Sequence, residues 1–142
     1  MLPAHAFASI PSGGTFAAYQ ARNQTPSQQG VETLAGLFGG YLGGRLPDLI
    51  DPPDCPNHRG IGHSVFAITI AGTVIYKNLS DWQGWFRDLA DRARARADSA
   101  TDELSRAFFV IAEFLFRAAA GLIAGVIGGY PPISQAGCAT IR

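Results

Sequence analysis

Charge is what this sequence has least of. Its eleven basic and eleven acidic side chains make up 15% of 142 residues, against about 25% in an average soluble domain. The two signs cancel, so no net field gathers polyanions, and nucleic acid is not an expected partner. Cysteine is also scarce. Cys55 and Cys138 stand far apart and in no C-x-x-C pattern, so neither a zinc knuckle nor a disulfide framework organises the chain. The first sixteen residues lack the basic start and long apolar stretch of an export signal, and cleavage or export is not expected.

What is abundant is apolar and small: 47% hydrophobic residues and seventeen glycines. That supply suffices for one core, and residues 1–142 read as a single helical domain. Low charge beside high glycine suits association with membrane lipids. The expected architecture is mainly α, a helical bundle with membrane-embedded apolar helices and one amphipathic charged helix.

Along the chain, residues 3–19 mix small and apolar side chains around Pro11-Ser12-Gly13-Gly14, which reads as two short helical pieces or a helix and a turn. Residues 20–30 have a loop composition that leads into a helix start near Gly30. Residues 31–46 carry Gly36, Gly39, Gly40, Gly43 and Gly44 at spacings of three and four. As a helix, this run presents a nearly bare face to which another helix can come close, within the chain or in a homo-oligomer through this glycine-rich helix. A phosphate-cradling loop is excluded there, because neither G-x-G-x-x-G after a strand nor a P-loop lysine is present.

Residues 65–76 are apolar and β-branched, and their length leaves a buried strand and a membrane helix both open. Residues 80–106 predict a charged amphipathic helix with Ser80 as its cap, Trp82, Trp85, Phe86 and Leu89 at helical spacing, and a solvated face holding i,i+4 pairs such as Asp88 with Arg92. Its tryptophans and arginines also suit a lipid headgroup layer. Residues 107–127 read as an apolar helix, either long enough to span a bilayer or buried as a core helix. Glu113 and Arg117 on one of its faces must bridge, face the bundle interior or lie near an interface.

The chemistry-bearing residues are concentrated in residues 46–64, LPDLIDPPDCPNHRGIGHS, where Asp48, Asp51, His58 and His63 lie among prolines and Arg59 sits between the histidines. Carboxylate oxygens with imidazole nitrogens suit a divalent metal at a hydrolytic site, zinc, manganese or iron among them. A proline-stiffened surface loop whose histidines bond only locally has the same composition.

The runs Gly39-Gly40-Tyr41-Leu42-Gly43-Gly44-Arg45-Leu46-Pro47-Asp48-Leu49-Ile50-Asp51 and His58-Arg59-Gly60-Ile61-Gly62-His63-Ser64 resemble the G-x-L-x-P-D-x-D and H-R-x-x-x-H-S signatures of the YdjM-like family, LexA-regulated metal-dependent hydrolases of the bacterial inner membrane. The resemblance implies a helical membrane-embedded fold and a divalent metal, zinc first. It implies His58, His63, Asp48, Asp51 and His5 as ligands, with Asp48, Asp51 and Arg59 acting on a phosphoester or similar bond. Two features depart from the pattern: one extra residue separates Asp48 from Asp51, and Gln135 stands where a histidine is expected, with no aspartate after it. Those departures motivate the alternative expectation, a non-enzymatic helical membrane or phage or mobile-element assembly protein that keeps the motif structurally.

Overall fold

The computed structural model describes residues 4–50 and 65–130. They form four helices, α1 (Ala4–Gln20), α2 (Pro26–Ile50), α3 (Val65–Ser99) and α4 (Glu103–Gly129), with no strand among the described residues. The mainly helical expectation therefore holds. Among these residues one helix, α4, is long and apolar enough to cross a bilayer by length and composition.

α1 runs unbroken through Pro11-Ser12-Gly13-Gly14 instead of splitting there. Pro11 lacks an amide hydrogen and normally breaks a helix, but tertiary contact overrides local propensity. Gly13 is buried where α1, α2 and α4 converge: a Cβ built on it would stand 2.7 Å from the Gly36 carbonyl oxygen and 2.8 Å from that of Gly125. Ser9 donates to the Gly40 carbonyl at 2.9 Å and Ser12 to the Gly128 carbonyl at 2.6 Å, tying α1 to both neighbours. The polar segment after α1 is shorter than its composition suggests, since α2 already begins at Pro26 and takes in Gln28 and Gln29.

Residues 65–76 are helical and continue without a break into the charged segment, giving a 35-residue α3. Ser80 lies inside that helix and caps nothing. The chain breaks at residues 100–102, earlier than the expected boundary after Arg106, because Asp102 is the stronger stop. Its backbone is extended (φ −110°, ψ 146°) and its carboxylate accepts the Ser105 amide at 2.8 Å, which satisfies one of the free donors of the first turn of α4. That bond holds the Asp102 carboxyl below the usual aspartate range.

Packing directions follow from the contacts. Ser9 meets Gly40 while Gln29 reaches the Ala18 carbonyl, so α1 and α2 are antiparallel. Arg94 pairs with Glu113 and Asp91 with Arg117, so α3 and α4 are antiparallel. α2 and α4 run parallel: Glu32, Gly36 and Gly40 lie against Gly121, Gly125 and Gly129 in that order. Each set is an i,i+4 ridge. A Cβ at Gly129 would stand 2.5 Å from the Gly40 carbonyl oxygen, and one at Gly125 would overlap the Gly36 backbone. The close approach expected of the glycine face is thus made within the chain, by α1 and α4.

What lies inside and outside is unusual. Large apolar side chains are exposed on every helix, among them Phe7, Phe38, Ile70, Trp82, Trp85 and Phe108, whereas the fully buried side chains of greatest volume are Glu32 and Ser9.

Candidate functional site

Two places in this bundle gather chemistry. The first is the end at which α1 begins, α2 ends and α3 begins. Because α1 and α2 are antiparallel, His5 in the first turn of α1 and Asp48 in the last turn of α2 share that end. α2 stops at Ile50 and α3 begins at Val65 at the same end. The other candidate ligands, Asp51, His58 and His63, lie outside the described residues, as do Arg59 and Gln135.

The second place is an ion network in the opposite half of the bundle, on the same two ridges that become glycine further along. The α2 ridge continues back from Gly36 to Glu32 and Gln28, and the α4 ridge from Gly121 to Arg117 and Glu113. Glu32, with no exposed surface, accepts from Arg87 Nη2 at 2.5 Å and Nε at 3.1 Å through one carboxylate oxygen. Through the other it accepts from Arg117 Nη1 at 3.3 Å. Arg117 also donates to Asp91. Glu113 accepts from Gln28 Nε2 at 2.6 Å and from Arg94 Nη1 at 3.5 Å.

Arg94 also pairs with the exposed Asp98 at 3.3 Å, so four carboxylates and three guanidinium groups are linked across α2, α3 and α4. No protein of a known family, no curated relative and no solved structure matches this chain.

The network settles one of the open readings. Glu113 and Arg117, 6% and 4% exposed, face the bundle interior, and each takes partners on other helices rather than its i,i+4 neighbour. The solvated face of α3 is real for Asp88 and Arg92, paired at 2.6 Å and well exposed. Arg87, from the same charge run, turns to the buried Glu32, while Asp91 stays exposed and accepts from Arg117 at the edge of the network. Glu32 was the residue that sequence alone left without a role. The signal for it was present: an acid amid the apolar and glycine residues of a helix must find a cation once that helix is packed.

Ion pairs of this kind hold helices in register. Of the motif residues, His5 and Asp48 fall within the described helices.

Proposed function

We propose that this chain is an integral protein of a bacterial inner membrane, a divergent relative of the YdjM-like metal-dependent hydrolases, which cleaves phosphoester or similar bonds at the end of the bundle where α1 starts and α2 stops. The observation that carries the membrane half is the inverted distribution of side chains. Ions and glycines are inside, and phenylalanine, leucine and tryptophan are outside on all four helices. Water drives the opposite arrangement, whereas lipid tolerates apolar exteriors, favours small residues at helix contacts and forces charges inward to pair.

The catalytic half rests on the motif resemblance and is supported by the shared end of His5 and Asp48, where α2 stops and α3 begins. His58, His63, Asp48, Asp51 and His5 would hold the ion, zinc first. A bound divalent cation supplies Lewis acidity and a water of lowered pKa. Asp48 or Asp51 would either ligate the ion or accept the proton of the attacking water, and Arg59 would steady the anionic group of the substrate.

The test is elemental analysis of detergent-purified protein, prepared without chelator and resupplied with zinc, for the wild type and for His58→Ala with His63→Ala. Stoichiometric metal that the double variant loses supports the hydrolase. A metal-free wild type transfers the assignment to a non-enzymatic membrane or assembly protein, the reading favoured by Gln135 in place of a histidine.

A further inference from the structure

A bundle that spans a bilayer carries its charge at its two ends and an apolar belt between them. Here charge is divided by side instead. Lys77, Asp81, Asp88 and Arg92 follow one another along the outer face of α3, and all four are exposed. Asp88 pairs with Arg92, whereas neither Lys77 nor Asp81 has an ion partner among the described residues.

The height of this stripe follows from its neighbours. Gly72 lies against the Tyr130 ring, and Phe86 faces Phe116 with 6.3 Å between ring centres, so Asp81, between them on α3, is level with the glycines of α4. Those glycines touch Glu32, Gly36 and Gly40 of α2, between which Leu34 and Phe38 stand exposed. An unpaired carboxylate and an apolar exterior therefore share one level of the bundle. They point to different sides of it. Leu34 and Phe38 lie on the face of α2 opposite Glu32, which reaches α3 through Arg87, and Asp81 lies on the face of α3 opposite the buried Ala90. α1, α2 and α4 pack on one another, and α3 is applied to α4 from outside that trio.

We propose that the bundle lies on its side in one leaflet, its helix axes in the membrane plane, with the apolar exteriors of α1, α2 and α4 among acyl chains and the outer stripe of α3 in water. The inference rests on the membrane placement proposed above and gives that placement its form. Ionisable groups at bilayer height turn to the bundle interior or to a water-filled cavity, and the outward face of α3 offers Asp81 neither. Among the described residues α4 alone has the composition of a span, and a lone span needs neighbours that tolerate the same lipid.

The dimensions agree. A helix is about 10 Å across, and one leaflet holds about 15 Å of hydrocarbon, so α1 and α2 fit within it while α3 stands at the headgroups. Trp82 and Trp85, exposed beside the stripe, are then at the depth where indole rings gather. An apolar side beneath a charged one is the arrangement of an interfacial amphipathic helix, built here from four helices.

The test reads sidedness. Arg22 and Arg45 are exposed at opposite ends of the antiparallel pair α1 and α2. In the full chain, with Cys55→Ser and Cys138→Ser as background, single cysteines are introduced by Arg22→Cys, Arg45→Cys, Asp81→Cys and Phe38→Cys. A membrane-impermeant maleimide is applied to intact spheroplasts and to inverted inner-membrane vesicles. Arg22→Cys, Arg45→Cys and Asp81→Cys are expected to be labelled in the same one of these two preparations, and Phe38→Cys in neither until detergent is added.

Labelling of Arg22→Cys and Arg45→Cys in opposite preparations overturns the flat placement in favour of a span. So does an Asp81→Cys that reacts only in detergent, with Asp88→Cys as the second reporter of the stripe. Release of the wild type by carbonate, together with labelling of Phe38→Cys without detergent, is a separate result: it sinks the membrane placement itself.

Discussion

Arg117 donates to Glu32 at 3.3 Å across the parallel pair α2 and α4, one turn before both ridges change from charge to glycine. Each ridge thus does two jobs along its length, ionic registration in one half and backbone-to-backbone packing in the other. Disturbing the two halves should have different consequences.

Removing Glu32 leaves Arg87 and Arg117 facing each other without their shared carboxylate. Breaking a buried ion pair from one side costs about 3–5 kcal/mol, so Glu32→Ala is expected to lower the thermal midpoint in detergent sharply or to prevent accumulation. Arg92→Ala, which removes the exposed pair with Asp88, is expected to cost no more than about 0.5 kcal/mol. Equal midpoints for the two variants would refute the network as a structural element.

Glycine positions divide in the same way. Gly36→Ala and Gly125→Ala place a methyl group into a side chain or backbone of a neighbouring helix and should destabilise by about 1–3 kcal/mol or more. Gly30 and Gly84 have nothing within 4 Å of a built Cβ. Alanine at either is expected to be neutral or to stabilise its helix by up to about 1 kcal/mol. Denaturation of the four single variants in one detergent checks the ranking.

The Asp102 cap gives a pH signature. Its carboxyl is held below the ordinary value of 3.8 because the charged form accepts the Ser105 amide. A depressed folded-state value means that the contribution is fully present above the unfolded value and is lost as pH falls through the folded one. The midpoint of the wild type minus that of Asp102→Ala should therefore be constant above about pH 5 and shrink in the acid range below 3.8. A difference that is flat down to pH 2 would show that the cap does not titrate as described.

Both tryptophans of the chain, Trp82 and Trp85, are exposed on α3. If lipid surrounds the bundle, their fluorescence should be quenched by brominated acyl chains in reconstituted vesicles and little affected by aqueous iodide. The reverse pattern would place α3 in water.

Much of this fold was legible from residue spacing, and what was not has identifiable causes. Glycines three and four apart announced a close helix contact, because a face without side chains is visible in sequence. Which helices would fill it was not visible, since that depends on α2 and α4 being parallel. Glu113 and Arg117 were readable as inward-facing, but their partners Glu32, Asp91 and Arg94 lie on other helices, and pairing between helices leaves no local pattern. The unbroken α1 shows packing at Gly13 overriding Pro11. The break at residues 100–102 was missed because Ser80 and Asp102 are both acceptable caps, and only the helix that runs through Ser80 decides between them. Of the candidate metal ligands, the fold bears on His5 and Asp48 alone, through the bundle end they share.

The parallel pairing of α2 with α4 has a consequence for biogenesis. These two helices are separated in the chain by the whole of α3, so a ribosome delivers Glu32 and the α2 glycines well before Arg87, Arg117 or the α4 ridge exists. The nascent chain passes through a stage in which Glu32 has neither of its arginines and the α2 ridge is covered by α1 alone. Only when α4 has been made can Glu32 receive Arg117 and the α2 ridge its second neighbour.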